Sequence, residues 1–308
     1  MVCPKMAVEK ITYFQHQRMI MKKRLHTKII LVPTLFLFLC SGTSAQDKTD
    51  EIADSITTIG KELYRSEMAS WYGTDIFLER FKEQRQNIGG YFSYNDSGFS
   101  NCIFFEKGEN PQVLSTIKFD STYRVVNAQV DSVKRKFSSR ERGIYAIRQL
   151  AVKEIGADTL FKRYNNTRFN IIPLIFNGRK RVYVLTGPQK DGVVIFGNDY
   201  LLSFDEADSL VGVRRLHKNF MPIEYGRQNN QEVGITMHSH SPETGDYITS
   251  TDICTIMLYE KIAKWKQHIV MSKDYVSIWN CETNQLVMLT KQAWERIYKD
   301  QQERHPNK

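Results

Sequence analysis

The residues with the types and spacing to do chemistry lie between Gly234 and Asp252, in the run G-I-T-M-H-S-H-S-P-E-T-G-D-Y-I-T-S-T-D. This is the dense set of metal-type ligands in the chain. The segment from Val233 to His240 reads as a strand. Side chains two apart on a strand leave the same face, so His238 and His240 can share one cation. A loop containing Pro242 and Gly245 follows, and Thr249-Ser250-Thr251-Asp252 opens an apolar helix with Asp252 in its first turn. Two imidazoles and one carboxylate leave a fourth position for water, the arrangement of a catalytic rather than a structural zinc. A plainer reading stands beside this one: two hydrogen-bonded histidines, and a Thr249/Asp252 capping box that only satisfies orphan amides. His217 and His268 have no partner at ligand spacing and read as structural.

His238-Ser239-His240, the following Pro242 and Thr249-x-x-Asp252 resemble the JAMM/MPN metalloprotease motif. The resemblance covers roughly the C-terminal third to half of the chain. It implies zinc held by His238, His240 and Asp252, an α+β fold, and hydrolysis of peptide or isopeptide bonds. Ser241 stands where the family has its proline, and Asp252 lies one residue further along, as a one-residue loop insertion would give. Thr249 takes the place of an oxyanion-stabilising serine. The family's general base is a glutamate shortly before a glycine in an apolar strand. The matching segment, Gln189-Lys190-Asp191-Gly192-Val193-Val194-Ile195-Phe196-Gly197, offers Gln189 or Asp191 and no glutamate. Asp191 is the candidate base, with a shorter reach; Glu224 and Glu232 are alternatives, and each also reads as a solvated surface acid. Two functions follow. One is an exported zinc hydrolase with an altered base. The other is a non-catalytic exported protein that keeps the fold, and the metal, for binding a peptide or protein partner or for its own stability.

Export is read from the N-terminal segment. Residues 1–20 carry no convincing apolar pattern and read as untranslated, with Met21 as the start. From there M-K-K-R-L-H-T-K leads into I-I-L-V-P-T-L-F-L-F-L-C and then S-G-T-S-A-Q, a basic region, an apolar region and a small-residue cleavage site. Residues 21–45 are therefore expected to be a signal peptide cut after Ala45, giving a periplasmic or extracellular protein. Lipidation at Cys40, the one route to a membrane, ranks second because Leu39 precedes it. Seven of the 43 basic and one of the 34 acidic residues lie in 1–45, so 36 against 33 remain and the formal charge falls from +9 to +3. With no basic stripe interleaved with aromatics left over, a nucleic-acid partner is not expected. Cys102, Cys254 and Cys281 are too few for a disulfide scaffold, and Cys254 reads as a small buried hydrophobe.

The elements that must position the motif give an α+β chain. Residues 50–88 read as two helices, the second capped by Thr74-Asp75, and an antiparallel meander follows: Tyr91–Tyr94, Cys102–Phe105, Val113–Phe119 and Tyr123–Val133. These make an N-terminal α+β region at 46–137. Ser138 and Glu141 form a second capping box, opening a helix that Gly156 ends. The region 138–308 is the JAMM/MPN-like part, a mixed sheet with flanking helices. Its strands are Phe169–Phe176 and Arg181–Thr186 around an Asn177-Gly178 hairpin turn, Val193–Phe196, Tyr200–Phe204 and Leu210–Leu216. The histidine strand and its helix come next, then His268–Ser272, Tyr275–Trp279 and Leu286–Leu289, and a last helix capped by Thr290.

Overall fold

The first helix, α1 (Thr43–Arg80), is a single 38-residue element where the sequence suggests two. Thr74 does not cap a new helix; its hydroxyl donates back to the Ser70 carbonyl at 2.7 Å, as a threonine inside a helix does. Two glycines let this helix run close to its neighbours. A Cβ on Gly60 would meet Ile253 Cβ at 2.7 Å, and one on Gly73 would meet Cys102 Cβ at 2.7 Å. The computed structural model of the chain describes residues 43–304 apart from 226, 229, 230 and 233. Residues 1–42, with most of the expected signal segment and Cys40, lie outside the described residues, as does the side chain of Glu232.

β1 (Ile88–Asp96), β2 (Phe99–Glu106), β3 (Val113–Phe119) and β4 (Gln129–Asp131) form the expected antiparallel meander in sequence order. The stretch expected as one strand from Tyr123 to Val133 is interrupted by a 3-10 turn at Val125–Asn127, so only β4 pairs. α2 (Ser139–Ala157) starts at the predicted box, with the Glu141 amide donating to Ser138 Oγ at 3.2 Å and the Ser138 amide to Glu141 Oε2 at 2.7 Å. It runs through Gly156 and one residue beyond.

β5 (Thr167–Phe176) and β6 (Arg179–Pro188) make the hairpin, with Asn177 and Gly178 both at positive φ as the tight turn requires. β7 (Val193–Gly197) leaves the sheet that β8 (Tyr200–Phe204) and β9 (Leu210–Arg215) complete in the order β5-β6-β8-β9. β7 pairs instead with β10 (Phe220–Glu224), Gly197 opposite Phe220 and Val193 opposite Glu224. β11 (Arg227–Gln228) and β12 (Gln231–Glu232) form a short hairpin. β13 (Ile235–Ser239), α3 (Ser250–Ala263) and β14 (Gln267–Met271) are a parallel pair with a helical crossover. β15 (Tyr275–Asn280) and β16 (Gln285–Thr290) complete that mixed sheet, and α4 (Lys291–Arg304) follows Thr290, whose hydroxyl accepts from the Ala293 amide.

The architecture is therefore α+β, antiparallel sheets with one mixed sheet and flanking helices. The chain from Thr43 onward forms one compact unit. The regions expected as 46–137 and 138–308 share α1: Ile56, Ile59 and Leu63 pack toward α3, while Ala69, Ile76 and Phe77 pack on the meander. Cys102, Cys254 and Cys281 are buried and unpaired, Cys254 in the core with Leu63 and Ile172. No helix among the described residues is long and apolar enough to cross a membrane.

Candidate metal centre

Strand alternation places the first two candidate ligands. Along β13, Ile235 and Met237 face out while Thr236 and His238 are buried, and His240 continues the inward set just beyond the strand. The His240 amide donates to Met271 O at 2.8 Å, which prolongs the β13–β14 ladder and holds the ring in place. Asp252 is the third residue of α3, and the capping box is real: its amide donates to Thr249 Oγ1 at 3.1 Å, and its Oδ2 accepts from the Thr249 amide at 2.8 Å and hydroxyl at 2.7 Å. Capping and ligation are not alternatives here. The box uses Oδ2 and leaves Oδ1 buried with no hydrogen-bond partner.

A third imidazole completes the cluster. His217 follows β9, in the connection to β10, where several contacts fix it. Arg215 donates to the carbonyls of His217 and Lys218, Leu216 N donates to Asp199 O, and Asn198 N donates to Asn219 O. Gly197 sits under this turn at φ +86, where a Cβ would meet Asn219 O at 2.3 Å, so only glycine fits. His217 Nε2 thereby reaches 3.2 Å from His240 Nε2 and 3.5 Å from Asp252 Oδ2. His238 Nε2 lies 3.1 Å from His240 Nε2 and 3.6 Å from Asp252 Oδ1, and His240 Nε2 lies 3.3 Å from Asp252 Oδ2. All four residues are buried, and their ligand atoms lie within 4.8 Å of one another.

These edges suit a cation. Four ligands at zinc bond lengths of about 2.0–2.2 Å define a tetrahedron with edges of about 3.3–3.6 Å; here the imidazole nitrogens lie 3.1 and 3.2 Å from one another, and the two Asp252 oxygens lie 3.3 to 3.6 Å from them, Oδ2 beside His217 and His240 and Oδ1 beside His238. The outward nitrogens are held as outer partners of a metal site hold them. His240 Nδ1 donates to the Tyr247 carbonyl at 3.0 Å and His238 Nδ1 meets His268 Nε2 at 2.8 Å, while His217 Nδ1 faces Asp199 Oδ2 at 3.4 Å without a hydrogen bond. His268 Nδ1 in turn meets Thr236 Oγ1 at 2.7 Å. Protons can run along this chain in either direction, so the histidines alone do not demand an ion. Asp252 Oδ1 is buried without a hydrogen-bond partner, and a cation in the cluster would satisfy it, as would a water.

The electrostatics agree. Burial would raise the Asp252 carboxyl, but His217 and His238 hold it well below the usual carboxylate range. Burial would likewise lower His217, yet Asp252 and Asp199 raise it to about 10. Burial lowers His238 to about 4 and His268 to about 3, keeping both neutral and able to ligate or support a ligand.

The structure thus brings together His238, His240 and Asp252 and adds His217, which the sequence reading set aside along with His268. Neither stands at ligand spacing in the chain; a turn and a neighbouring strand bring them in. Thr249 lies beside Asp252 with its hydroxyl already engaged there. Asp191 is exposed before the start of β7, whereas the opposite end of that strand, Gly197, abuts His217. A five-residue strand covers ~13 Å, which separates Asp191 from the cluster. Gln189 is exposed on the same side, and Glu224, paired with Val193, is exposed at that same far end. Compared with known proteins, the chain matches no family model, no curated protein and no solved structure.

Proposed function

We propose that this is an exported zinc-binding protein whose centre is held by His217, His238, His240 and Asp252 and serves binding and stability rather than hydrolysis. The observation that supports it is the convergence of three buried imidazoles and the buried Asp252 carboxylate, whose candidate ligand atoms lie within 4.8 Å of one another. Zinc bound there would supply a fixed divalent charge and a Lewis acid. The chain's own residues do the rest. Asp199, His268 and Tyr247 O orient the three rings, and the ligands tie β13, the start of α3 and the turn after β9 into one cluster. For hydrolysis a general base must come within hydrogen-bond reach of the attacking water. Asp191 and Glu224 stand at the wrong end of β7, and Thr249 already donates its hydroxyl to Asp252.

A second reading, zinc-dependent peptide or isopeptide hydrolysis at the same centre, draws on the cleft that reaches His217 and His238. One experiment separates the two: elemental analysis of the purified protein, with peptide and isopeptide substrates offered to the zinc-loaded form. Stoichiometric zinc without turnover supports the binding reading. Turnover lost in His238→Ala would replace it with the hydrolase, and a chain that takes up no zinc would end both.

A further inference from the structure

The cluster is not sealed on all sides. A cleft of about 290 Å³ has His217 and His238 in its lining, with Phe196, Phe220 and Met221 forming apolar wall and Lys218 contributing a cation. His217 and His238 are the two cluster members that line it. Both are buried, and the cleft ends against them. A ligand entering there would approach the metal without displacing His240 or Asp252.

The charge of the site selects what enters. With Asp252 ionised and the rings neutral, a divalent ion leaves the four ligands at about +1, and Asp199, on the far side of His217 from the ion, is the one carboxyl beside them among the described residues, its pKa raised by burial. Lys218 adds a second positive charge, and among the described residues no acidic side chain lines the cleft. Lys218 now pairs with Glu243 at 3.2 Å, both side chains more than half exposed, and such a pair holds its lysine weakly enough for it to turn inward. The apolar wall includes Met221, an adaptable side chain, on edge strand β10.

We propose that a metal held by this cluster keeps one exchangeable position, between His217 and His238, and that the position takes a monocarboxylate whose aliphatic part lies against Phe220 and Met221. This rests on the metal reading above and adds its ligand class. A free aliphatic acid and the C-terminus of a peptide present the same chemistry.

Cobalt(II) in place of zinc gives the test, because its intense visible bands in a four-coordinate site weaken when a fifth ligand binds. Acetate, pentanoate and N-acetyl-glycyl-valine are titrated into the cobalt-loaded protein. The bands should weaken with all three, pentanoate binding about sixtyfold more tightly than acetate, since each of its three extra methylenes contributes about fourfold when buried. Met221→Ala should remove most of that chain-length preference, and Lys218→Ala should weaken all three ligands alike. The tighter of pentanoate and the peptide identifies the natural source. Cobalt bands that no carboxylate alters would overturn the inference while leaving the metal site intact. Equal binding of acetate and pentanoate, unchanged in Met221→Ala, would overturn the assignment of the apolar wall. A protein that takes up no cobalt would instead overturn the proposed function.

Discussion

His217 Nε2 stands 3.2 Å from His240 Nε2, although one ring is set by the turn after β9 and the other by the end of β13. Two buried imidazole nitrogens that close need a proton or a metal ion between them. The contact makes His217 the fourth candidate ligand. His217→Ala should therefore cut zinc affinity by more than the 10–100-fold, or about that order, which loss of an outer-shell partner costs. Competition against a chelator of known affinity measures it. An unchanged affinity would return the site to three protein ligands.

Thr249 and Asp252 join the helix cap to the histidine cluster through one carboxylate, whose Oδ2 accepts from Thr249 and also lies beside His217 and His240 while Oδ1 lies beside His238. Thr249→Ala should destabilise the protein by about 1 kcal/mol, the usual loss for an N-cap. It should also weaken zinc, because Asp252 is no longer held in its rotamer. Thr249→Ser, which keeps the hydroxyl, should restore both. Thermal unfolding with and without zinc reads the two effects; loss of stability with zinc affinity untouched would show that the cap does not orient the ligand.

The parts of this site that were legible in the sequence are the local ones. His238 and His240 share a face because a strand repeats every two residues, and Thr249 and Asp252 meet because a first helical turn brings residues three apart together. His217 was not legible. Its position depends on β10, whose Met221-Pro222 pair reads poorly as a strand although proline is tolerated on an edge strand such as this one. The same limit explains α1. Thr74-Asp75 reads as a cap, yet the helix runs through it, with Gly73 set closely against Cys102 on a strand 29 positions later in the chain.

Thr236, His268 and His238 form a chain in which metal binding should reverse the protons. Without metal, His268 Nε2–H can donate to His238 Nδ1, whose Nε2–H then faces His240. With metal on His238 Nε2, its Nδ1 must carry the hydrogen and donate to His268 Nε2, and His268 Nδ1–H donates to Thr236 Oγ1. Imidazole nitrogen NMR on the zinc-free and zinc-loaded protein should show both rings exchanging tautomers. His268→Ala should lower zinc affinity by about 10–100-fold. A His238 Nδ1 without its hydrogen in the zinc-loaded form would mean that His238 Nε2 does not ligate.

Zinc binding should release a proton, and His217 is its source. In the metal-free protein Asp252 and Asp199 raise this imidazole from its ordinary 6.5 to about 10, against the effect of burial. Zinc accepts only the neutral ring. Between about pH 7 and 9 every binding event must then displace one proton, so affinity should climb about tenfold per pH unit and level off near pH 10. The sign for stability follows from the same shift. A folded value above the unfolded one means that His217 stabilises the metal-free protein fully below about pH 6.5, and that this contribution is lost as pH rises through about 10. The zinc-loaded form carries no proton there to lose, so the gap in Tm between loaded and metal-free protein should widen from pH 6.5 upward. His238 and His268, held near 4 and 3, stay neutral throughout this window and leave the slope to His217. Zinc titrations in weak buffer would count the proton directly, and His217→Ala should abolish its release. An affinity that does not change between pH 7 and 9 in the intact protein would show that His217 either is already neutral before zinc arrives or never meets it.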